Sequence, residues 1–317
     1  MPMTCPTLTL RFTSLSAAAL LTGLVGLITP SRANLVIDAA FDSTITSDPN
    51  AAAIEATINS AIGVYEADIS TAITVSIGFS EMSTGLGASS SYYGTIPYAA
   101  YRPALASNAT SAAALTALAS LPVSTNNPVT GSSTINVKTA NLRALGFNAI
   151  PPGGQDGTVS LNTSITNVGS PGTSGAYSLL AVTQHEIDEV LGFGSGLNQT
   201  STIFPEDLFR YAASGARSYA SSNTAAAFFS LNGTTDLAQF NNVANGADFG
   251  DWASGATPQV QDAFGTPGAS PTLGPNELNV LSAIGYNLTS PVPEPASLAL
   301  LGSAIGGLIS LQRRRRG

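Results

Sequence analysis

The sequence predicts an α+β fold, in which a mixed sheet with long helices precedes a smaller and less regular C-terminal lobe. Residues 35–41 alternate between apolar and other side chains, residues 49–69 carry apolar side chains at helical spacing, and residues 73–79 alternate again. A strand, a long helix and a strand in this order predict a βαβ unit with parallel strands. A further long helix, over residues 176–191, is expected to end at Gly192.

The first long helix is expected to begin at Ser47-Asp48-Pro49, because proline is favoured in the first turn of a helix. Its inward face is predicted from residues spaced three and four apart, namely Ile54, Ile58, Ala61, Ile62, Tyr65 and Ile69.

Four tyrosines, Tyr92, Tyr93, Tyr98 and Tyr101, follow a glycine-rich loop. Two explanations stay open for them: packing beneath the loop, which is the more frequent case, or lining a substrate groove. Further along, residues 112–121 and 137–145 are predicted as short helices and residues 159–165 as a strand.

After Gly192 the pattern becomes irregular, with a predicted strand near residues 228–233 and a last helix over residues 277–285. We therefore predict an N-terminal lobe at residues 34–196, which carries the motif helix, and a C-terminal lobe at residues 197–290.

The N-terminus has the pattern of a secretory signal over residues 1–33. Arg11 supplies a positive charge, an apolar run follows over residues 15–28, and Ser31-Arg32-Ala33 offers small residues for signal peptidase. We expect the mature chain to begin at Asn34.

The C-terminus has the pattern of a second targeting signal. Val292-Pro293-Glu294-Pro295 precedes an apolar stretch over residues 296–311 and a cluster of four arginines at residues 313–316. The stretch is short for a permanent membrane span, so we expect only transient membrane contact. Residues 291–317 resemble the PEP-CTERM sorting signal of Gram-negative bacteria. The resemblance implies recognition by an exosortase and a location in the cell envelope or outside the cell.

The charge of the mature region argues against nucleic acid as a partner. Between residues 34 and 290 there are five basic residues, whereas of the chain's 19 acidic residues only Glu294 lies outside this range. No basic patch is available for a phosphate backbone. The only cysteine, Cys5, lies in the signal, so packing or a bound metal must stabilise the mature protein without disulfides.

The chemistry centres on His185, the single histidine of the chain. His185, Glu186 and Glu189 form a His-Glu-x-x-Glu pattern, a variant of the His-Glu-x-x-His helix motif of zincins. Residues four apart lie on one face of a helix, so His185 and Glu189 are predicted to bind one zinc ion.

A catalytic zinc site needs a third protein ligand, and no other histidine and no cysteine of the mature chain can supply it. We predict Asp207 as this ligand, with Glu206 as the alternative. Asp188 is disfavoured because it points away from the face shared by His185 and Glu189.

Glu186 is the predicted general base, which takes a proton from a metal-bound water and passes it to the leaving amine. Tyr211 or Arg217 is predicted to stabilise the developing oxyanion. Two carboxylates neutralise the charge of the metal, so its water should be less acidic than in a three-histidine site. The same ligand set also suits metals other than zinc.

These residues resemble the metzincin core His-Glu-x-x-His-x-x-Gly-x-x-His/Asp. His185, Glu186 and Gly192 fall on its positions, while Glu189 and Ser195 replace two of its ligands. The Met-turn of that family is missing, because no methionine follows the motif.

The chain is more similar to a group of PEP-CTERM-bearing metalloproteases. The matching segments lie at residues 185–192, 207–211, 215–218, 250–253 and 260–264. The resemblance covers residues 180–290 and implies a zincin-like fold with zinc-dependent hydrolysis of peptides or proteins. In that fold a strand borders the cleft and can pair with a bound peptide.

Three alternatives remain open at this point. In the first, His185 is an ordinary hydrogen-bonded core residue. The low charge and the sorting tail also fit a non-catalytic surface or extracellular-matrix protein. Finally, Asp236, Asp248 and Asp251 lie in a segment rich in Asn and Gly, which suits a structural calcium ion as well as a solvated turn.

Overall fold

The computed structural model describes residues 34–168 and 173–289, which fold into an α+β arrangement as predicted. The strands are β1 (Val36–Phe41), β2 (Thr74–Glu81), β3 (Gly87–Ser91), β4 (Tyr93–Pro97), β5 (Thr134–Lys138), β6 (Gly157–Leu161), β7 (Thr166–Asn167), β8 (Tyr177–Ser178), β9 (Arg210–Ala213), β10 (Ala216–Arg217), β11 (Phe228–Phe229) and β12 (Ala238–Gln239). The helices are α1 (Ser43–Thr46), α2 (Ala51–Asp68), α3 (Tyr98–Asn108), α4 (Ala112–Ala119), α5 (Thr139–Ala144), α6 (Leu179–Leu191) and α7 (Pro275–Ile284), with 3-10 turns at Pro152–Gly154 and Pro205–Phe209.

The main sheet has the strand order β1–β2–β6–β3. Strands β1, β2 and β6 are parallel, and β3 runs antiparallel to β6 at the edge. Helix α2 connects β1 to β2, which confirms the predicted βαβ unit. All six residues predicted for its inward face are buried, Ile69 lying just past its end. Their burial supplies most of the attraction between helix and sheet.

Helix α6 carries the motif and packs against α2, β3 and β6. The Ser178 hydroxyl caps its first turn by accepting a bond from the Ala181 N–H. At its end, Lys138 Nζ donates to the carbonyls of Glu189 and Phe193. Gly192 has φ of 145°, and a Cβ there would lie 2.7 Å from Ile284 Cδ1, so glycine is needed to end the helix here.

The C-terminal part contains a small antiparallel sheet in the order β10–β9–β11–β12. An aromatic cluster of Phe193, Phe229, Phe240 and Trp252 joins this sheet to the end of α6. Trp252 Nε1 donates to Glu277 Oε1 of α7 over 3.0 Å. The same core therefore continues across residue 196, and the predicted division into two lobes stays a prediction.

The prediction of a helix over residues 137–145 differs from the structure. Residues 137–145 are not one helix, because the chain first pairs with β4 as strand β5 and turns into α5 only at Thr139. Pairing between distant segments outweighs local helical preference here.

Tyr98 and Tyr101 lie in helix α3 and are fully buried, which confirms the packing explanation for these two tyrosines.

In the part of the chain that the structure describes, no helix has the length and apolar character needed to cross a bilayer. The predicted signal at residues 1–33 and the sorting tail at residues 291–317 lie outside the described residues.

Candidate metal centre

His185 and Glu189 point to the same place, as the helical spacing predicts. His185 Nε2 lies 3.8 Å from Glu189 Oε1 and 3.8 Å from Asp251 Oδ1. One ligand atom from each of these three residues lies within 4.8 Å of the others, and we call this group the ligand triad. Such spacing allows one cation to contact all three side chains.

The imidazole of His185 is held in one orientation. Its Nδ1 lies 3.0 Å from the carbonyl oxygen of Val260. A carbonyl only accepts hydrogen bonds, so Nδ1 carries a proton, and Nε2 is the nitrogen that faces the two carboxylates. Support of this kind is typical of histidines that bind metals.

Asp251 is the third member, and the sequence singled it out only for a calcium site. It immediately precedes the buried Trp252, and its backbone carbonyl accepts a bond from Asn241 N. Gln261 Nε2 donates to Asp251 Oδ1 over 3.2 Å. The sequence offered no specific signal for Asp251 as a ligand, because consecutive side chains of an extended segment point in opposite directions and a tryptophan does not predict the burial of its neighbour.

Glu186 is buried between α6 and the edge strand β3. A Cβ on Gly87 would collide with Glu186 Oε1 and lie 2.8 Å from Val182 Cγ1, so the glycine makes room for this carboxyl group. Burial, together with the nearby Glu189, raises the pKa of Glu186 to about 9. At neutral pH this carboxyl group therefore holds a proton, and a cation bound beside it would lower its pKa and make it a proton acceptor.

The electrostatics of the group fit a divalent cation. Burial raises the pKa of Asp251 to about 7. Burial lowers the pKa of His185, but the charges of Asp251, Glu186 and Glu189 outweigh this effect and raise it to about 10. The His185 shift shows that the surrounding carboxylates attract positive charge, and the Asp251 shift shows that burial disfavours its negative charge; a metal ion bound to the triad would offset both effects.

The triad lies in a cleft of about 650 Å³. Leu86, Ile165, Tyr177, Val182 and Phe264 form an apolar part of its wall, while Glu186, Glu189, Asp248 and Asp251 form an acidic part. No lysine or arginine is among the described residues that line the cleft.

Asp207, the predicted third ligand, lies elsewhere. Its carboxylate accepts bonds from the Ser195 hydroxyl and from the N–H groups of Gly196 and Phe204, the last two over 2.9 Å. Glu206, the alternative, is also buried and accepts from Gly194 N over 2.6 Å. Both carboxylates stabilise the loop after α6, and neither lines the cleft, so the third position of the triad belongs to Asp251.

Tyr211 and Arg217, the predicted oxyanion stabilisers, are not brought to the triad. The Arg217 guanidinium stacks 4.9 Å from the Tyr211 ring and donates to the carbonyls of Leu208 and Ser120. Tyr211 is buried against Gly233. Asp236, from the calcium alternative, is exposed, whereas Asp248 and Asp251 line the cleft.

The C-terminus matches a known family, the PEP-CTERM protein-sorting motif, over residues 291–316. No curated protein and no solved structure matches the chain. The matched motif places this protein in the class of exported proteins that are sorted to the cell envelope. It also implies recognition by a sorting enzyme of the exosortase type.

Proposed function

We propose that this envelope-sorted protein is a zinc-dependent metallopeptidase with a zincin-like fold. The observation that supports it most is the approach of His185 Nε2, Glu189 Oε1 and Asp251 Oδ1 to one another, with Glu186 beside them in the cleft. The two negative charges of the carboxylates balance the charge of a divalent cation, and the imidazole adds a neutral nitrogen ligand.

When bound, the zinc ion would polarise a peptide carbonyl and make an attacking water more acidic. Glu186 accepts the proton of this water and delivers it to the amine that leaves. Ser89 holds Glu189 by donating to its Oε2 over 2.5 Å, which leaves Oε1 toward the triad. Neither Tyr211 nor Arg217 is assigned as the donor that stabilises the oxyanion.

The edge strand β3 is the proposed surface for the substrate backbone. Asn162 N donates to Leu86 O, and in an antiparallel pair the bonded positions alternate, so the backbone groups of Gly87 and Ser89 point away from β6. An extended peptide can add to this free edge alongside Glu186.

The cleft wall suggests which peptides bind. Near Leu86, the chain at Gly265 packs against Leu86 and Tyr177, and this end is apolar. Close to Glu189 the wall contains Asp248, which the metal does not use and which makes this part of the wall acidic. We infer a preference for segments with a large apolar residue on one side of the cleaved bond and a cationic residue on the other.

The test combines metal content with hydrolysis. Purified protein should hold close to one zinc per chain and cleave casein. His185→Ala should lose the metal, and Glu186→Gln should keep the metal but lose most of the activity. Glu55→Gln, on the outer part of α2 and away from the cleft, is the matched control and should retain both.

The competing function is a non-catalytic surface or matrix protein, for which the sorting motif is equally suitable. Wild-type protein that holds zinc but cleaves none of a broad set of peptides would favour it. Wild-type protein that binds no divalent metal would overturn the metallopeptidase proposal.

A further inference from the structure

One side chain beside the triad has a polar atom without a partner. Gln261 is fully buried, and its Nε2 lies 3.4 Å from His185 Nε2 and 3.2 Å from Asp251 Oδ1. Its Oε1 is buried and has no hydrogen-bond partner among the described residues. A buried amide oxygen without a hydrogen-bond partner lowers the stability of the folded protein, so this position needs a specific explanation.

The spacing of the Gln261 amide is compatible with that of a metal ligand. Zinc bonds of about 2.0–2.1 Å in a tetrahedral arrangement place neighbouring ligand atoms about 3.3–3.4 Å apart. The amide terminus lies at 3.4 and 3.2 Å from two triad atoms, closer to this value than the 3.8 Å separations within the triad.

The backbone of Gln261 is fixed at this position. Its N–H donates to Glu277 Oε1 over 3.3 Å, and its carbonyl accepts from Trp252 N over 2.8 Å. Asp251 precedes Trp252 directly, so one pair of neighbouring strand-like segments positions both Asp251 and Gln261. The side chain therefore reaches the triad without ordering a flexible loop.

The two ends of a glutamine amide have nearly equal size, and hydrogen bonding decides which one is oxygen. The NH₂ group of Gln261 lies 3.4 Å from His185 Nε2, so a cation bound to this nitrogen would repel the NH₂ group and attract an amide oxygen in its place. Half a turn about the last side-chain bond exchanges the two atoms and turns Oε1 toward the triad.

We propose that Gln261 Oε1 is a fourth protein ligand of the metal, an inference that rests on the proposed metal site. The added ligand is neutral, so the charge balance between the cation and the two carboxylates is unchanged. A set of one nitrogen and three oxygens is harder than a three-histidine set and should also accept Mn²⁺.

Titration of the full chain with Zn²⁺ and Co²⁺ tests this proposal. Gln261→Met keeps the size of the side chain but removes the oxygen, and should weaken binding by about tenfold or more. Gln261→Glu keeps an oxygen at this position and should bind the metal at least as tightly as wild type. The visible absorption of bound Co²⁺, which reports the coordination geometry, should change in Gln261→Met and not in the control.

The control is Gln259→Ala, at a glutamine that lines the cleft and whose side chain bonds Asn276 instead of the triad. Thermal unfolding in EDTA checks that each variant folds. Equal affinity and an equal Co²⁺ spectrum in Gln261→Met and wild type would overturn the fourth ligand and leave the triad intact. Absence of binding by the wild type would instead overturn the metal site itself.

Discussion

At the scale of single residues, the candidate site depends on aspartates whose roles the chain order does not reveal. Asp207 and Asp251 are both buried acids that follow the motif helix. Asp207 has three hydrogen-bond donors around its carboxylate and a structural role, whereas Asp251 faces His185. The hydrogen-bond partners of a buried carboxylate, and not its burial alone, therefore distinguish a structural role in the loop from a role as metal ligand.

We expect Asp251→Asn to lower zinc affinity strongly, because it removes a charged ligand from the triad. Asp207→Asn should instead keep the zinc and lower the free energy of unfolding by about 1–3 kcal/mol, since it replaces an acceptor of backbone N–H groups. Calorimetric titration with zinc and urea unfolding separate the two effects. Loss of zinc from Asp207→Asn in a folded protein would revive Asp207 as a ligand.

At the scale of elements, the site lies where helix α6 passes the edge strand β3. Contact between them is close because Gly87 and Ser89 present little or no side chain to the helix. Helix α6 contributes His185, Glu186 and Glu189 to the wall of the cleft, and β3 supplies a backbone edge beside them. The two elements together form a candidate peptide-binding groove.

Gly87→Ala tests this contact. The added methyl group would collide with Glu186 Oε1 and crowd Val182, so we expect a loss of about 1–3 kcal/mol in stability and a large loss of peptidase activity. The matched control is Gly63→Ala in α2, where nothing lies within 4 Å of the added Cβ. That variant should gain about 0.5–1 kcal/mol, because alanine favours the helix. Urea unfolding and peptide assays report both; equal stability of Gly87→Ala and wild type would contradict the close packing.

At the scale of the whole molecule, the buried acids connect folding to protons and metal. The folded protein raises the pKa of Asp251 to about 7, of Glu186 to about 9 and of His185 to about 10. All three groups therefore hold protons in the folded state at pH values where the unfolded chain releases them. Stability from these groups is present at low pH and decreases as pH rises through the folded values.

We thus expect the melting temperature in EDTA to fall between about pH 5 and pH 9. With excess zinc the direction reverses, because bound metal requires deprotonated ligands and competes with protons at low pH. Thermal unfolding across this range, with zinc and with EDTA, measures both curves. For His185→Ala, the curve with zinc and the curve with EDTA should coincide. Coinciding curves for the wild type would contradict the coupling between metal binding and folding.

Local patterns were enough to predict the βαβ unit, the motif helix with its end at Gly192, and the sorting motif that residues 291–316 match. They also predicted that His185 and Glu189 share one face, because helical spacing depends only on neighbours in the chain. Tyr211, Arg217 and Asp207 are near the motif in sequence but not in the cleft. Only the tertiary structure brought Asp251 and Gln261 to His185, since the docking of the segments around Trp252 onto α6 and α7 depends on packing between distant residues.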